Sequence, residues 1–221
     1  SNKKQWEIDI DSPIRAYGPV TNVCLSDDGM SFGIGSLSGA FFIGPTSTYS
    51  DKHTLMAELS GNGKVLVVGD WDFDCDNGND NDNGHENKND NASNYRDNQD
   101  CGRVQVFDIT SDIPLQIGTD IVGSEENDLC GSSLDLSSNG RTIVIGCRNK
   151  ALVATLDDKN DEWEIETTIN VDNINSVAIS SDANTVVLGS RQGVVRVFEK
   201  TRIIHLRKGG ENGVAMNRTR W

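Results

Sequence analysis

Four stretches of this chain obey one spacing rule. Val23-Cys24-Leu25-Ser26 leads to Gly35, Ala57-Glu58-Leu59-Ser60 to Gly69, Leu134-Asp135-Leu136-Ser137 to Gly146, and Val177-Ala178-Ile179-Ser180 to Gly189, with the glycine nine residues after the serine each time. A fixed offset recurring along a chain marks a repeated supersecondary unit, one that buries its apolar faces against its neighbours rather than within itself. In every copy the positions one and three before the serine are apolar, while the residue between them is Cys24, Glu58, Asp135 or Ala178. That alternation has period two, so each copy opens with a strand that shows one side to a core.

The turns after the serines are Asp27-Asp28-Gly29, Gly61-Asn62-Gly63, Ser138-Asn139-Gly140 and Ser181-Asp182-Ala183-Asn184. Such residues tolerate left-handed backbone or hydrogen-bond to it locally, and they join antiparallel neighbours. The second strands, Val65-Leu66-Val67-Val68, Thr142-Ile143-Val144-Ile145 and Thr185-Val186-Val187-Leu188, are nearly continuous apolar β-formers, as expected where both faces of a sheet are covered. Third strands follow at Gly39–Ile43, Gly102–Phe107, Lys150–Ala154 and Gly193–Phe198. Fourth, more exposed strands are expected at Leu115–Gly118, Trp163–Glu166 and Arg202–Leu206, with a weak or missing one after Ile43.

The expectation is an all-β chain, a β-propeller of four-stranded antiparallel blades with about four full repeats and partial terminal ones. Serine-to-serine spacings of 34 and 43 residues suit blades of that size, and the remaining spacing of 77 contains an insertion. The repeats span 6–206, because Trp6-Glu7-Ile8-Asp9-Ile10 copies the fourth-strand segment Trp163-Glu164-Ile165-Glu166-Thr167. Residues 207–221 read as a tail or as the start of a further repeat, since Gly213-Val214-Ala215-Met216-Asn217 resembles an entering first strand. A slice of a larger propeller is favoured over a small closed ring, which leaves remaining blades to the same or another chain. Leu25, Ile34, Leu59, Val67, Leu136, Ile145, Ile179 and Val187 are the expected inter-blade core, with Phe107 and Phe198 sealing third strands.

Ile174 to Phe198 resembles a WD-type repeat: an apolar strand, a serine-x-aspartate turn, a second strand ending glycine-serine, and a third ending in an aromatic. Val20 to Ile43 resembles a weaker copy. Residues 69–107 are similar to integrin-like FG-GAP propeller repeats of microalgal and bacterial surface proteins, where an Asn/Asp/Gly-rich loop precedes Gly-x-Val-x-Val-Phe. Here the third strands end Phe107-Asp108 and Phe198-Glu199 rather than tryptophan-aspartate, and no glycine-histidine pair precedes the strands. These resemblances imply a fold and not a task.

The charge is concentrated in the insertion, 70–100. It holds nine Asp, one Glu and nine Asn against Lys88 and Arg96, about eight of the formal net charge of −14. Its few apolar side chains cannot offset the entropy of ordering so long a segment, so a solvated loop is the ordinary reading. The sharper one is calcium: Asp72, Asp74 and Asp76 place hard oxygens at alternating positions before Gly78, Asp80 follows it as a further candidate ligand, and calcium takes six to eight oxygens. A third is a segment that orders on a partner. The acidic excess argues against nucleic acid, and no stretch is apolar enough to insert in a membrane as a helix.

Of the five cysteines, Cys75 and Cys101 bracket the insertion and a disulfide there would close its neck, whereas Cys24 and Cys130 read as small buried hydrophobes. No Cys-x-x-Cys pair exists and His53, His85 and His205 lie far apart, which argues against zinc. Asn91-Ala92-Ser93 and Asn217-Arg218-Thr219 fit the glycan acceptor pattern. The setting leans to extracellular or cell surface, with a cytoplasmic one left open. No histidine is placed by local motif to activate the repeated serines, which sit where they would cap turns, and no phosphate-cradling loop occurs. The function expected is therefore a non-enzymatic scaffold for a protein partner. The alternatives are a calcium-binding adhesion-type propeller and a propeller enzyme or carbohydrate-binding module.

Overall fold

A computed structural model of the chain describes residues 18–37, 40–43, 48–51, 56–75, 100–204 and 217–220, with side chains described for 18–37, 56–75 and 100–200. The described residues are all-β, in antiparallel sheets, without a helix. The first sheet runs β1 (Val20–Leu25), β2 (Phe32–Ser36), β3 (Ala40–Ile43), β4 (Thr48–Asp51). The second runs β5 (Met56–Leu59), β6 (Val65–Asp70), β7 (Arg103–Asp108), β8 (Leu115–Gln116), with β9 (Ile121–Val122) also on β7. The third is β10 (Ser133–Leu136), β11 (Thr142–Gly146), β12 (Lys150–Asp157), β13 (Glu162–Asn170), and the fourth is β14 (Ile174–Ile179), β15 (Thr185–Ser190), β16 (Val195–Glu199). A last hairpin pairs β17 (Thr201–Ile204) with β18 (Asn217–Arg220).

The repeated serine builds the same turn four times. Its backbone N–H donates five residues ahead, to Ser31, Val65, Thr142 and Thr185 carbonyls at 2.9 Å in each copy. Its hydroxyl accepts the returning N–H of that same residue and donates to the side chain two positions on, Asp28, Asn62, Asn139 or Asp182 at 2.6–2.8 Å. The fourth turn residue takes a positive φ: Gly29, Gly63 and Gly140 in three copies, Ala183 at 57° in the last. The serine thus satisfies backbone groups that the tight reversal leaves unpaired.

Sheets pack face to face in chain order, and a residue's place in the repeat decides which interface it enters. Ala57, Leu59, Leu66 and Val68 of the second sheet meet Cys24 of the first. Val67, Val104 and Val106 on its opposite face meet Leu134, Leu136, Ile143 and Ile145 of the third sheet. Val144 and Val153 of the third meet Ile174, Val186 and Leu188 of the fourth. Each fully buried Val or Ile contributes about 1.5–3 kcal/mol from leaving water. β11 is buried on both faces along its whole length, which accounts for its unbroken Thr-Ile-Val-Ile-Gly run.

Several expectations are corrected. Leu25, expected in the core, is 62% exposed, because nothing described covers that side of the first sheet, and Ile34 on the same face is only half-buried. Leu59, Val67, Leu136 and Ile145 are buried as expected, while Ile179 and Val187 are half-buried. A fourth strand does follow Ile43: β4 pairs with β3 from Ile43↔Thr48 to Ala40↔Asp51. The strand expected at Arg202–Leu206 is present as β17, but its partner is β18 rather than β16. Asn217 of the expected entering strand, which also heads the glycan pattern, lies in β18, whereas Trp6–Ile10, Gly213–Met216, Asn91, His53, His85 and His205 lie outside the described residues.

Candidate functional site: an acidic mouth between the first strands

The first strands β1, β5, β10 and β14 lie side by side, and the turns that follow them are stitched together at one end. Asp27 N–H donates to the Gly61 carbonyl at 2.8 Å, Asn62 N–H to Ser138 at 2.9 Å, and Ser138 N–H to Ser181 at 3.2 Å. The Ser138 hydroxyl reaches across to Asp27 Oδ2 at 2.9 Å, so the first and third turns touch. Gly61 lies in this gap, where a Cβ would run into the Asp27 carboxylate and the Ser138 hydroxyl. The first and third turns approach this closely only because the second copy carries glycine at a position where the other copies have Asp27, Ser138 and Ser181.

Below the mouth is a cavity of about 240 Å³ lined by Cys24, Glu58 and Asp135 among others. These are the residues that interrupt the apolar alternation of the first strands. Burial raises the Glu58 pKa to about 7, the neighbouring Asp135 charge adds to the rise, and a hydrogen bond from Asn22 Nδ2 at 3.1 Å opposes it. Burial also raises the pKa of Asp135, against the N–H groups of Ile179 at 2.6 Å and Leu136 at 2.8 Å that donate to its carboxylate. The Cys24 thiol is pushed up to about 12 by burial and by Glu58, so at neutral pH it is a thiol and not a nucleophile. Asn22 also clamps β1 to β5 through the Ala57 backbone, donating to its carbonyl at 2.6 Å and accepting its N–H at 3.2 Å. Asp135 ties the third sheet to the fourth by accepting the Ile179 N–H. The polar residues between the apolar ones therefore tie sheet to sheet while lining the cavity. Reading the four copies as strands showed these positions, but their shared cavity needed the strands brought together.

A second, wider cleft of about 410 Å³ lies where Glu125, Glu126 and Asp128 face Arg148 and Lys150. Lys150 is committed there, with Nζ 2.7 Å from Asp128 Oδ2 and donating to Ser124 Oγ at 2.8 Å.

The neck of the acidic insertion is a built structure. Cys75 is disulfide-bonded to Cys101, Asp74 bridges to Asp100, and the N–H groups of Cys101 and Gly102 both donate to the Phe73 carbonyl at 3.0 Å. Arg103 stacks over the Phe73 ring at 4.3 Å, with its guanidinium 3.4 Å from Asp70 and 3.7 Å from Asp120. Gly102, at φ 76°, has no room for a Cβ against the Cys130 backbone. Of the four candidate calcium ligands, Asp72 is half-buried and Asp74 exposed at this neck, while Asp76 and Asp80 lie outside the described residues. Among the described residues no three His, Cys, Asp or Glu side chains converge as a metal site.

Cys130 corrects the sequence reading in part: it is fully buried, but it is bonded to Cys147 rather than free. The register that pairs Ser133 with Gly146 carries both cysteines to the open end of the same hairpin, a signal that the hairpin's own spacing held. Cys24 is the free cysteine.

No protein-family model matches the chain, and no curated protein matches it in sequence. Among solved structures it is similar to Kuenenia stuttgartiensis hydrazine synthase, at TM-score 0.49 and 11% identity over 80% of this chain. The matched region is 57% of that protein's chain.

Proposed function

We propose that the chain is a non-enzymatic β-propeller scaffold that binds a protein partner through the end where its four serine turns converge. The observation that carries this is the mouth itself: a narrow opening rimmed by Asp27 and Ser138 over the half-buried carboxylates of Glu58 and Asp135. Successive antiparallel sheets of three to five strands with adjacent first strands support the propeller reading. An opening of this size with carboxylates beneath it suits a lysine or arginine side chain on a partner's loop. Such a cation would stabilise the ionised forms of two acids that burial disfavours. It would also give specificity and encounter rate through charge complementarity.

Isothermal titration with short lysine- and arginine-bearing peptides tests this reading. Binding that weakens at least tenfold in Glu58→Gln with Asp135→Asn, and survives removal of 76–99, is expected. Binding unchanged by the double substitution refutes it.

A second reading has its own support. Two disulfides in a chain of this size favour an oxidising compartment, where calcium is abundant, and one of them closes the neck beside Asp72 and Asp74. On this reading Asp72, Asp74, Asp76 and Asp80 hold calcium in a cell-surface protein. Calcium titration into chelator-stripped protein, with and without residues 76–99, checks it.

A further inference from the structure

The repeat gives every sheet two different apolar faces. The trailing face carries the residues six and eight after the serine, with those one and three before it: Ala57, Leu59, Leu66 and Val68 in the second sheet, Leu134, Leu136, Ile143 and Ile145 in the third, Val177, Ile179, Val186 and Leu188 in the fourth. The leading face carries the residue seven after the serine and its partner on the third strand: Val67 with Val106, and Val144 with Val153. Within the molecule a leading face meets the trailing face of the next sheet, and between the second and third sheets Val67, Val104 and Val106 pack against Leu134, Leu136, Ile143 and Ile145.

Two faces break the pattern. The trailing face of the first sheet presents Val23 at 69% and Leu25 at 62% exposure, where Leu59 and Leu136 at the matching position are 6% and 5%. The leading face of the fourth sheet presents Val195 at 68% and Val197 at 62%, where Val106 and Val153 are 2% and 0%. Val187 pairs with Val197 as Val144 does with Val153, so the geometry of this face is that of a buried interface without its other half. Contiguous apolar surface of this kind marks an association site. Among the described residues, the two uncovered faces are one leading and one trailing. They are complementary to each other, and neither is complementary to itself.

We propose that two copies of this chain associate head to tail, the leading face of the fourth sheet of one seating on the trailing face of the first sheet of the other. Each joint repeats an interface that the chain already makes between its own sheets. Formed twice about a two-fold axis, the contact covers all four uncovered faces and stops at a dimer, as a heterologous contact does when its rotation closes. Only the closure draws on the propeller reading. The peptide experiment above has a separate readout, so a dimer that binds no basic peptide and a monomer that binds one are told apart.

Sedimentation velocity on the wild-type chain, Leu25→Asp, Val197→Asp and an equimolar mixture of the two variants tests the proposal. The wild type is expected to be a dimer. Each variant alone places a charge in both joints and is expected to raise the dissociation constant at least thirtyfold. The mixture regains one intact joint and is expected to recover dimer that neither variant forms alone. Both positions are exposed, so far-UV circular dichroism is expected to be unchanged, and Val23→Lys with Val195→Lys repeats the experiment on the same two faces. A wild-type monomer overturns the proposal, as would any covering of these faces by the chain's own residues. A dimer broken by Leu25→Asp but untouched by Val197→Asp also overturns it, since the faces would then pair with themselves.

Discussion

Ala183 holds the backbone at φ 57° where the other three turns use glycine. An L-residue there crowds its Cβ against the following carbonyl at a cost of about 1–2 kcal/mol. Ala183→Gly is expected to stabilise the chain by roughly 0.5–1 kcal/mol, part of the gain being offset by the freer unfolded chain, and urea denaturation reads it. Glu58 yields the second prediction at this scale. Its folded pKa of about 7 stands above the ordinary 4.5, so the folded state holds the proton more tightly than the unfolded chain. The stability this gives is full below about pH 4.5 and lost as pH rises through 7. Glu58→Gln keeps an acceptor for Asn22 and is expected to flatten stability between pH 4.5 and 8 by on the order of 1–3 kcal/mol, measured by denaturation across that range. The interruption of alternation at Cys24, Glu58, Asp135 and Ala178 was legible in the sequence. That three of these line one cavity was not, because the pairing of β1, β5 and β10 across sheets depends on contacts between residues as far apart as Asp27 and Ser138.

At the level of the strand, identical positions in the repeat have different energetic weights. Leu136 is 5% exposed between sheets, whereas Leu25 is 62% exposed on an outer face. Leu136→Ala is expected to cost about 2–5 kcal/mol, the lost transfer plus a cavity, and Leu25→Ala less than about 1 kcal/mol in dilute monomer. Equal losses in thermal melts would mean that the first sheet is covered in solution. Apolar β-branched runs announced the second strands, since nothing else makes both faces of a strand hydrophobic. The fourth strands were harder to read: Thr48–Asp51 is polar and Leu115–Gln116 only two residues long, so outer strands carry little apolar signal. Arg202 to Ile204 was legible as a strand, but its partner was not, because an isolated strand's pattern says nothing of which edge it joins.

For the molecule as a whole, the two disulfides fasten separate parts of the fold. Cys130 and Cys147 close a short loop across the mouth of the β10–β11 hairpin within the core between the second and third sheets. Replacing both by alanine is expected to cost about 2–4 kcal/mol and to lower the melting temperature by roughly 5–12 °C, read by calorimetry against the wild type. Cys75 and Cys101 instead restrain the insertion at its neck, and reducing that bond alone is expected to leave the melt of the sheets nearly unchanged. What the sequence determined by itself was local and periodic: strand, serine turn, strand, and the all-β class, because alternation and turn chemistry act over a few residues. Only the tertiary structure decided which faces are covered, that Cys130 finds Cys147, and that Glu58 and Asp135 share a cavity at raised pKa. Those depend on desolvation and on neighbours brought in from distant sheets, and a spacing rule that treats all four copies alike cannot distinguish the sheets that have a described neighbour on both sides from the two that do not.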